Sequence, residues 1–142
     1  MRTLLEIDVA GDSAAIAAAK DAVEAFCAQR GLPPRIAPRL SLALDELFAN
    51  ILSHGCAATG VVPVIRLRVG LENGHLVTEL SDSGPPFNPL AAPSPALDLD
   101  LDARSVGGLG IHLVRRLMDA VRYRRHGGYN RLTLRQTLHK AE

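Results

Sequence analysis

The 142-residue chain is poor in aromatic side chains and in excess charge of either sign, and each shortage excludes a class of function. Aromatic residues make up 4% and tryptophan is absent, so a stacking platform for nucleic-acid bases is not expected. The net charge of +1 is too small to attract a nucleic-acid backbone. No apolar run approaches the roughly 18 residues of a membrane span, and the first residues lack a signal-peptide layout. We therefore expect a cytoplasmic protein that contacts neither membrane nor nucleic acid directly.

Size and cysteine content are those of a small protein from a reducing compartment. With 47% hydrophobic residues, the chain has enough apolar side chains for one core and is short for two, so we predict a single domain over residues 1–142. Cys27 and Cys56 are the two cysteines. A bridge between them is open, but two cysteines do not make a disulfide framework.

Hydrophobic periodicity and turn residues predict the order β-α-α-β-β-lid-α-β-β. The predicted strands cover 4–9, 62–71, 76–81, 121–124 and 131–138, and the predicted helices cover 14–30, about 38–55 and a segment that begins after the glycines at 107–110. Asn73-Gly74 is a strong signal for a two-residue hairpin turn. Strands paired as hairpins, with helices that must cover one face, indicate an α+β two-layer sandwich with a mixed, mostly antiparallel sheet.

The second predicted helix carries polar residues beside a buried apolar row. That row recurs at helical spacing and consists of Leu40, Leu44, Leu47 and Ile51. Glu46 and Asn50 are four residues apart and therefore lie on one side of the helix, and His54 continues their line. A glutamate can accept a proton, and an asparagine carbonyl can ligate a hard cation such as Mg²⁺. On the helix alone, an ordinary solvated flank remains the alternative.

Two further segments have the chemistry of a nucleotide site. Asp82 follows a strand, where its carboxylate can accept a hydrogen bond from an exocyclic amine, and Gly84 lets a flat ring approach the backbone; a plain turn is the alternative. The glycine-rich segment 107–110 exposes backbone N–H groups before a helix, which suits phosphate, and a flexible linker is the alternative. The segment from Leu90 to Val106 is long enough for a functional lid or a disordered loop.

Taken together, these motifs resemble the Bergerat-fold (GHKL) ATPases, the histidine-kinase-like ATPase domains. Within them, the chain looks most like the stand-alone anti-sigma-factor serine/threonine kinases. The motifs similar to that family's asparagine box and two glycine boxes are Glu46-x-x-x-Asn50-x-x-x-His54-Gly55, Asp82-x-Gly84-x-Pro86-Phe87-x-Pro89 and Gly107-Gly108-Leu109-Gly110-Ile111-x-Leu113-Val114. The resemblance covers nearly the whole chain, and it rests on the combination because each motif alone is a weak signal.

The resemblance implies ATP and Mg²⁺ as cofactors and assigns a role to each site residue. Asn50 is the expected Mg²⁺ ligand, and Glu46 is the expected base that takes the proton from a serine hydroxyl. Asp82 is expected to bond the adenine amino group while Gly84 makes room for the ring. Residues 88–106 are expected to form the ATP lid. The remaining nucleotide contacts that the resemblance implies are Phe87, Arg104, Gly108, Leu109, Gly110 and Ile111.

For partners, the resemblance implies an anti-anti-sigma (STAS-domain) protein that is phosphorylated, a sigma factor or other regulator that is held, and a homodimer. The alternative function is a nucleotide-binding adapter that sequesters a partner without phosphoryl transfer, and the third is a purely structural α+β domain. A set of arginines could meet an acidic partner or form a solvated face: Arg115, Arg116, Arg122, Arg124 and Arg125.

The roles of three other residues are open. His54 either lines the site or caps the C-terminus of its helix as a cation. Asn130 and Thr133, near the final strand, either touch the nucleotide or point outward from the sheet.

Overall fold

The computed structural model describes residues 1–91 and 109–139. Its elements, in chain order, are β1 (Arg2–Val9), α1 (Ser13–Gln29), α2 (Ile36–Thr59), β2 (Ile65–Glu72), β3 (His75–Asp82), a 3-10 turn (Pro89–Ala91), α3 (Leu109–Leu117), β4 (Ala120–His126) and β5 (Tyr129–Thr137), where α3 is the third of the helices within the described residues. This is the predicted order. None of these described helices is long and apolar enough to cross a membrane.

The five strands form one sheet in the order β1-β2-β3-β5-β4. Each neighbouring pair is antiparallel, so the described sheet contains no parallel pair. The prediction of a mostly antiparallel sheet is therefore confirmed, and the prediction that it is mixed is wrong for the described strands. The reason is that β4 and β5 form a hairpin whose second strand lies beside β3 in the opposite direction. Asp82 at the end of β3 is thereby paired with Asn130 near the start of β5.

One face of the sheet and the three helices enclose a single hydrophobic core. On β2, Ile65, Leu67 and Val69 point into the core and are buried, whereas Arg66 is on the other face and forms an ion pair with Asp8 at 2.8 Å. The predicted apolar row of α2 is buried in full: Leu40, Leu44, Leu47 and Ile51. The predicted two-layer α+β sandwich is confirmed.

The helix α2 is longer than predicted. The expected end near Gly55 is wrong, because the helix continues to Thr59 and is followed by Gly60 in the left-handed region at φ 71°. Gly55 lies inside the helix, where a Cβ atom would collide with the side chain of Pro63. The glycine therefore allows close packing of a loop against the helix rather than ending it.

Other local predictions agree with the structure. Asp12 caps α1, since its Oδ1 accepts a hydrogen bond from the amide of Ala15 at 2.8 Å. Asn73 and Gly74 both have positive φ, as a tight turn between β2 and β3 requires. The helix α3 ends at Leu117, and Val121, the first residue of the predicted strand 121–124, contributes to the core from β4.

Cys27 is a free, buried thiol in α1. The structure therefore gives no support to the disulfide that the sequence left open. Burial, and to a smaller degree the nearby Glu24 carboxylate, raises the pKa of the Cys27 thiol. Since the thiolate is the reactive form, this cysteine behaves as a small apolar core residue.

Candidate functional site

A narrow cavity lies between α2, the end of β3, the segment that follows β3, and the hairpin β4–β5. Asn50 and His54 line it from α2, and Asp82 and Gly84 line it from the end of β3. Its walls are otherwise mainly apolar, formed by Leu47, Ile51, Pro85, Phe87, Pro89, Tyr123 and Leu132. A flat, largely apolar slot with a single carboxylate in its wall suits a planar base that carries an amine.

Asp82 is held at the edge of this cavity by the local backbone. Only 8% of the residue is exposed, and its Oδ1 accepts a hydrogen bond from the amide of Gly84 at 2.9 Å. A Cβ atom at position 84 would lie 2.9 Å from the same oxygen, so the bond requires glycine there. The predicted pair of an aspartate and a glycine is therefore one local structure that fixes the carboxylate.

Asn130 connects this local structure to β5. Of its two predicted orientations, the one that points outward from the sheet is wrong. Its side chain points into the cavity and is buried, and its Nδ2 donates a hydrogen bond to Asp82 Oδ1 at 3.1 Å. Thr133 is paired with Glu79 and lies on the other face of the sheet, because residues an odd number apart in a strand point to opposite sides. Asn130 is therefore part of the site and Thr133 is not.

His54 is stacked on Phe87 at the cavity wall. The two ring centroids are 3.9 Å apart and the ring planes differ by 21°. Because α2 continues beyond position 54, this imidazole does not cap the helix, and the other alternative, that it lines the site, holds. The stack joins α2 to the segment after β3, and such pairs contribute about 0.5–1.5 kcal/mol beyond the burial of area.

Glu46 faces the first turn of α3. A Cβ atom at Gly110 would overlap Glu46 Oε2, so the glycine leaves the space that the carboxylate occupies. Asn50 stands one helical turn away from Glu46, about 6 Å along α2. The beginning of α3, with the backbone N–H groups of Leu109 and Gly110, is thus beside Glu46.

The described residues include only some of the predicted nucleotide contacts. Arg104, Gly108 and most of the expected lid at 88–106 are outside the described residues. The part that is described begins with the turn at Pro89–Ala91, where the Leu90 carbonyl accepts a hydrogen bond from Arg115 at 2.7 Å. The side chain of Ile111 is in the hydrophobic core, so any contact from this residue to a nucleotide would come from its backbone.

The donor set fits a magnesium ion shared with a ligand better than a site made by protein alone. Within residues 1–91 and 109–139, no group of three or more His, Cys, Asp or Glu side chains could hold a metal ion. Asn50 offers one amide oxygen at the cavity. Mg²⁺ commonly binds through one or two protein ligands, with substrate phosphates and water completing its octahedron.

The five arginines for which an acidic partner or a solvated face was left open do not form one surface. Arg125 donates to the carbonyl of Gly84 at 2.7 Å, and Arg115 binds Leu90. Arg122 and Arg124 are exposed on the outer face of the sheet. Arg116 lines a wider cleft of about 380 Å³ near the start of α2, and none of the predicted nucleotide-site residues line this cleft. This wider cleft therefore shares no lining residue with the cavity that contains Asn50 and Asp82.

Two residues of the site were not predicted. Tyr123 donates its hydroxyl to Asn130 Oδ1 at 2.6 Å, and Arg125 binds the backbone next to Asp82. Both come from β4 and point toward the helices, since Arg125 is paired with Asn130 and Tyr123 with Leu132. The alternation in β4 was visible in the sequence, but its register against β5 was not.

Comparisons with known proteins give a consistent result. The sequence profile of the histidine kinase-like ATPase domain family matches residues 9–136. The serine/threonine-protein kinase BtrW of Bordetella bronchiseptica is 36% identical over 102 residues, which are 72% of this chain and 70% of that protein.

Solved structures have the same fold at low sequence identity. The RsbU and RsbW domains of a Mycobacterium tuberculosis protein superpose with a TM-score of 0.66 at 17% identity, over 94% of this chain and 32% of that one, so the chain spans about a third of that protein. The SiaB–SiaC complex of Pseudomonas aeruginosa gives a TM-score of 0.60 at 18% identity, over 95% of this chain and 90% of the matched chain.

Proposed function

The chain belongs to the histidine kinase-like ATPase domain family, and we propose that it is an ATP-dependent protein serine kinase that works as an anti-sigma factor. The observation that carries the proposal is the placement of Asn50 and Asp82 on one cavity, with Glu46 one helical turn from Asn50 and against the first turn of α3. Together, these three residues offer a group that recognises the base, a metal ligand and a proton acceptor.

The base of ATP occupies the cavity, and Asp82 accepts a hydrogen bond from its exocyclic amine. Gly84 leaves space for the ring, and Phe87 with its stacking partner His54 closes one side. The phosphates extend along α2 toward the N-terminus of α3, where the amides of Leu109 and Gly110 and the positive end of the helix dipole face negative charge.

Transfer needs little covalent chemistry from the protein. Glu46 takes the proton of the serine hydroxyl while that oxygen bonds to the γ-phosphorus and the bond to the β–γ bridging oxygen breaks, which releases ADP. Asn50 would hold Mg²⁺, which would supply neutralisation of charge on the phosphates. Gly110 leaves the space that the Glu46 carboxylate occupies.

The phosphate acceptor is a serine of a STAS-type anti-anti-sigma protein. Phosphorylation adds a charge of about −1.5 to −2 at the interface and expels that partner, since a dianion is costly to bury against an unprepared surface. The kinase is then free to hold a sigma factor or another regulator. We place this exchange in the cytoplasm, with the kinase as a homodimer.

Nucleotide binding is tested by calorimetry with ATP, with and without Mg²⁺, on the wild type and Asp82→Asn. Loss of a hydrogen bond to a charged group is worth about 1.5–3 kcal/mol, so the variant should bind ATP about 10- to 100-fold more weakly. Thr133→Val, on the outer face of the same sheet, is the control and should bind normally. Absence of saturable binding to the wild type at millimolar ATP would refute the nucleotide site.

Phosphoryl transfer is tested separately with Glu46→Gln and a STAS-domain partner. Removal of a general base typically lowers the rate by about 10²–10⁴-fold, whereas ATP affinity should remain. Incorporation of labelled phosphate into the partner's serine is the measurement. Transfer at the wild-type rate by Glu46→Gln would show that Glu46 is not the base, and no transfer by either protein would favour the adapter function.

A further inference from the structure

We infer that Asn130 is the positioning residue for base recognition: it orients the Asp82 carboxylate and holds the segment 84–87 so that the cavity selects a 6-aminopurine. This inference rests on the proposed nucleotide site and deepens it. Asn130 acts through Asp82 and the loop rather than as a catalytic group.

Asn130 uses both ends of its amide within the site. Its Nδ2 donates to Asp82 Oδ1 at 3.1 Å and to the carbonyl of Pro85 at 2.9 Å. Its Oδ1 accepts from the amide of Phe87 at 3.1 Å and from the hydroxyl of Tyr123 at 2.6 Å. The residue is 6% exposed, so water does not compete freely for these bonds.

The orientation of this amide follows from its partners. The backbone amide of Phe87 can only donate and the carbonyl of Pro85 can only accept, so Oδ1 must face the former and Nδ2 the latter. A flipped amide would place like groups opposite each other at both positions. The hydrogen bond to Asp82 is therefore donated by Asn130, and an aspartate at position 130 could not reproduce it in its ionised form.

The consequence for Asp82 is that one oxygen is occupied and the other is available. Within the described part of the chain, the Asp82 carboxylate accepts two hydrogen bonds, from Gly84 and Asn130, and both go to Oδ1. The carboxylate therefore cannot rotate without breaking two bonds, and Oδ2 is left to accept from a ligand. An acceptor fixed at this place favours the 6-amino group of adenine and opposes the 6-carbonyl oxygen of hypoxanthine.

The register of the sheet explains why this residue has such reach. Asp82, Asn130 and Arg125 are opposite one another on β3, β5 and β4 and point to the same face. Arg125 binds the carbonyl of Gly84 at 2.7 Å from the far side of Asn130. The loop after β3 is thus held from two strands by contacts that span 41 to 48 residues of sequence.

The test compares ATP with inosine triphosphate (ITP), which has a carbonyl where ATP has the amine. Calorimetry on the wild type should give at least about tenfold tighter binding of ATP than of ITP. Asn130→Asp keeps the shape and the accepting oxygen but removes the donor, and should lower this preference by about tenfold, mainly by weakening ATP. Asn130→Ala removes the same donor without adding charge and should act in the same direction. Thr133→Val is the matched control on β5.

Each variant is measured well below its own unfolding temperature, so that a loss of stability is not taken for a loss of recognition. If both substitutions weaken ATP and ITP by the same factor, Asn130 has a structural role only and the inference is overturned. If the wild type binds ATP without preference over ITP, base selection by Asp82 is wrong. If the wild type binds neither, the proposed function fails before this inference is reached.

Discussion

Gly110 lies beside Glu46, the proposed base, and leaves no space for a Cβ atom. Its Cα faces Glu46 so closely that any Cβ would displace the carboxylate. In a free helix, alanine is favoured over glycine by about 1 kcal/mol. The close contact therefore reverses the usual order of the two residues at this position.

We predict that Gly110→Ala destabilises the protein by about 1 kcal/mol, the low end for overpacking, because the group that must move is the end of the flexible Glu46 side chain. In a Glu46→Ala background the same substitution should be neutral or stabilising by up to about 1 kcal/mol, because the clash is gone. Urea denaturation of the four proteins measures this coupling. An equal cost of Gly110→Ala in both backgrounds would show that the two residues do not interact.

At the residue scale, the positions that one short motif contains lie together in the structure, while their roles stay predictions. Asp82 with Gly84, and Asn50 with His54, are each close in sequence and meet at one cavity. Asn130 was left between two roles, and the part played by Tyr123 and Arg125 was not anticipated. Their place depends on which residue of β5 is opposite Asp82, and a shift of one residue would have turned all of them outward.

At the scale of elements, α2 connects the core and the site. Its apolar row is buried under the sheet while Glu46, Asn50 and His54 line the site side. The two functions share one rigid helix, so loss of packing should loosen the geometry of the polar residues as well. Leu44 and Leu42, a buried and an exposed leucine of the same helix, allow the contribution of this packing to stability to be measured.

We predict that Leu44→Ala lowers the free energy of unfolding by about 2–5 kcal/mol, since its side chain is 0% exposed. Leu42→Ala is the control, because Leu42 is 51% exposed on the same helix and surface substitutions usually stay within about 0.5 kcal/mol. Chemical denaturation followed by circular dichroism gives both values. A similar cost for the two variants would contradict the burial pattern of α2.

At the scale of the whole molecule, the proposed nucleotide site joins α2, the end of β3 and the start of α3. A ligand that binds across these elements binds the folded state alone and therefore stabilises the entire protein. At a concentration of 100 times Kd, the gain is about 2.7 kcal/mol.

We predict that saturating Mg-ATP raises the unfolding temperature of the wild type by several degrees, and by much less in Asp82→Asn. Addition of EDTA should remove part of the gain, because the phosphates lose the ion that Asn50 would help to hold. Thermal shift measurements with ITP in parallel relate this effect to base recognition. An equal shift for the wild type and Asp82→Asn would place the nucleotide elsewhere on the protein.

The sequence by itself determined the element order, the buried row of α2 and the three motifs, because these depend on residues within one or two turns of each other. Only the tertiary structure decided the purely antiparallel pairing of the described strands, the extension of α2 to Thr59, the stack of His54 on Phe87 and the place of Asn130. These features arise between segments far apart in the chain. They depend on strand register and close packing, which local periodicity does not encode.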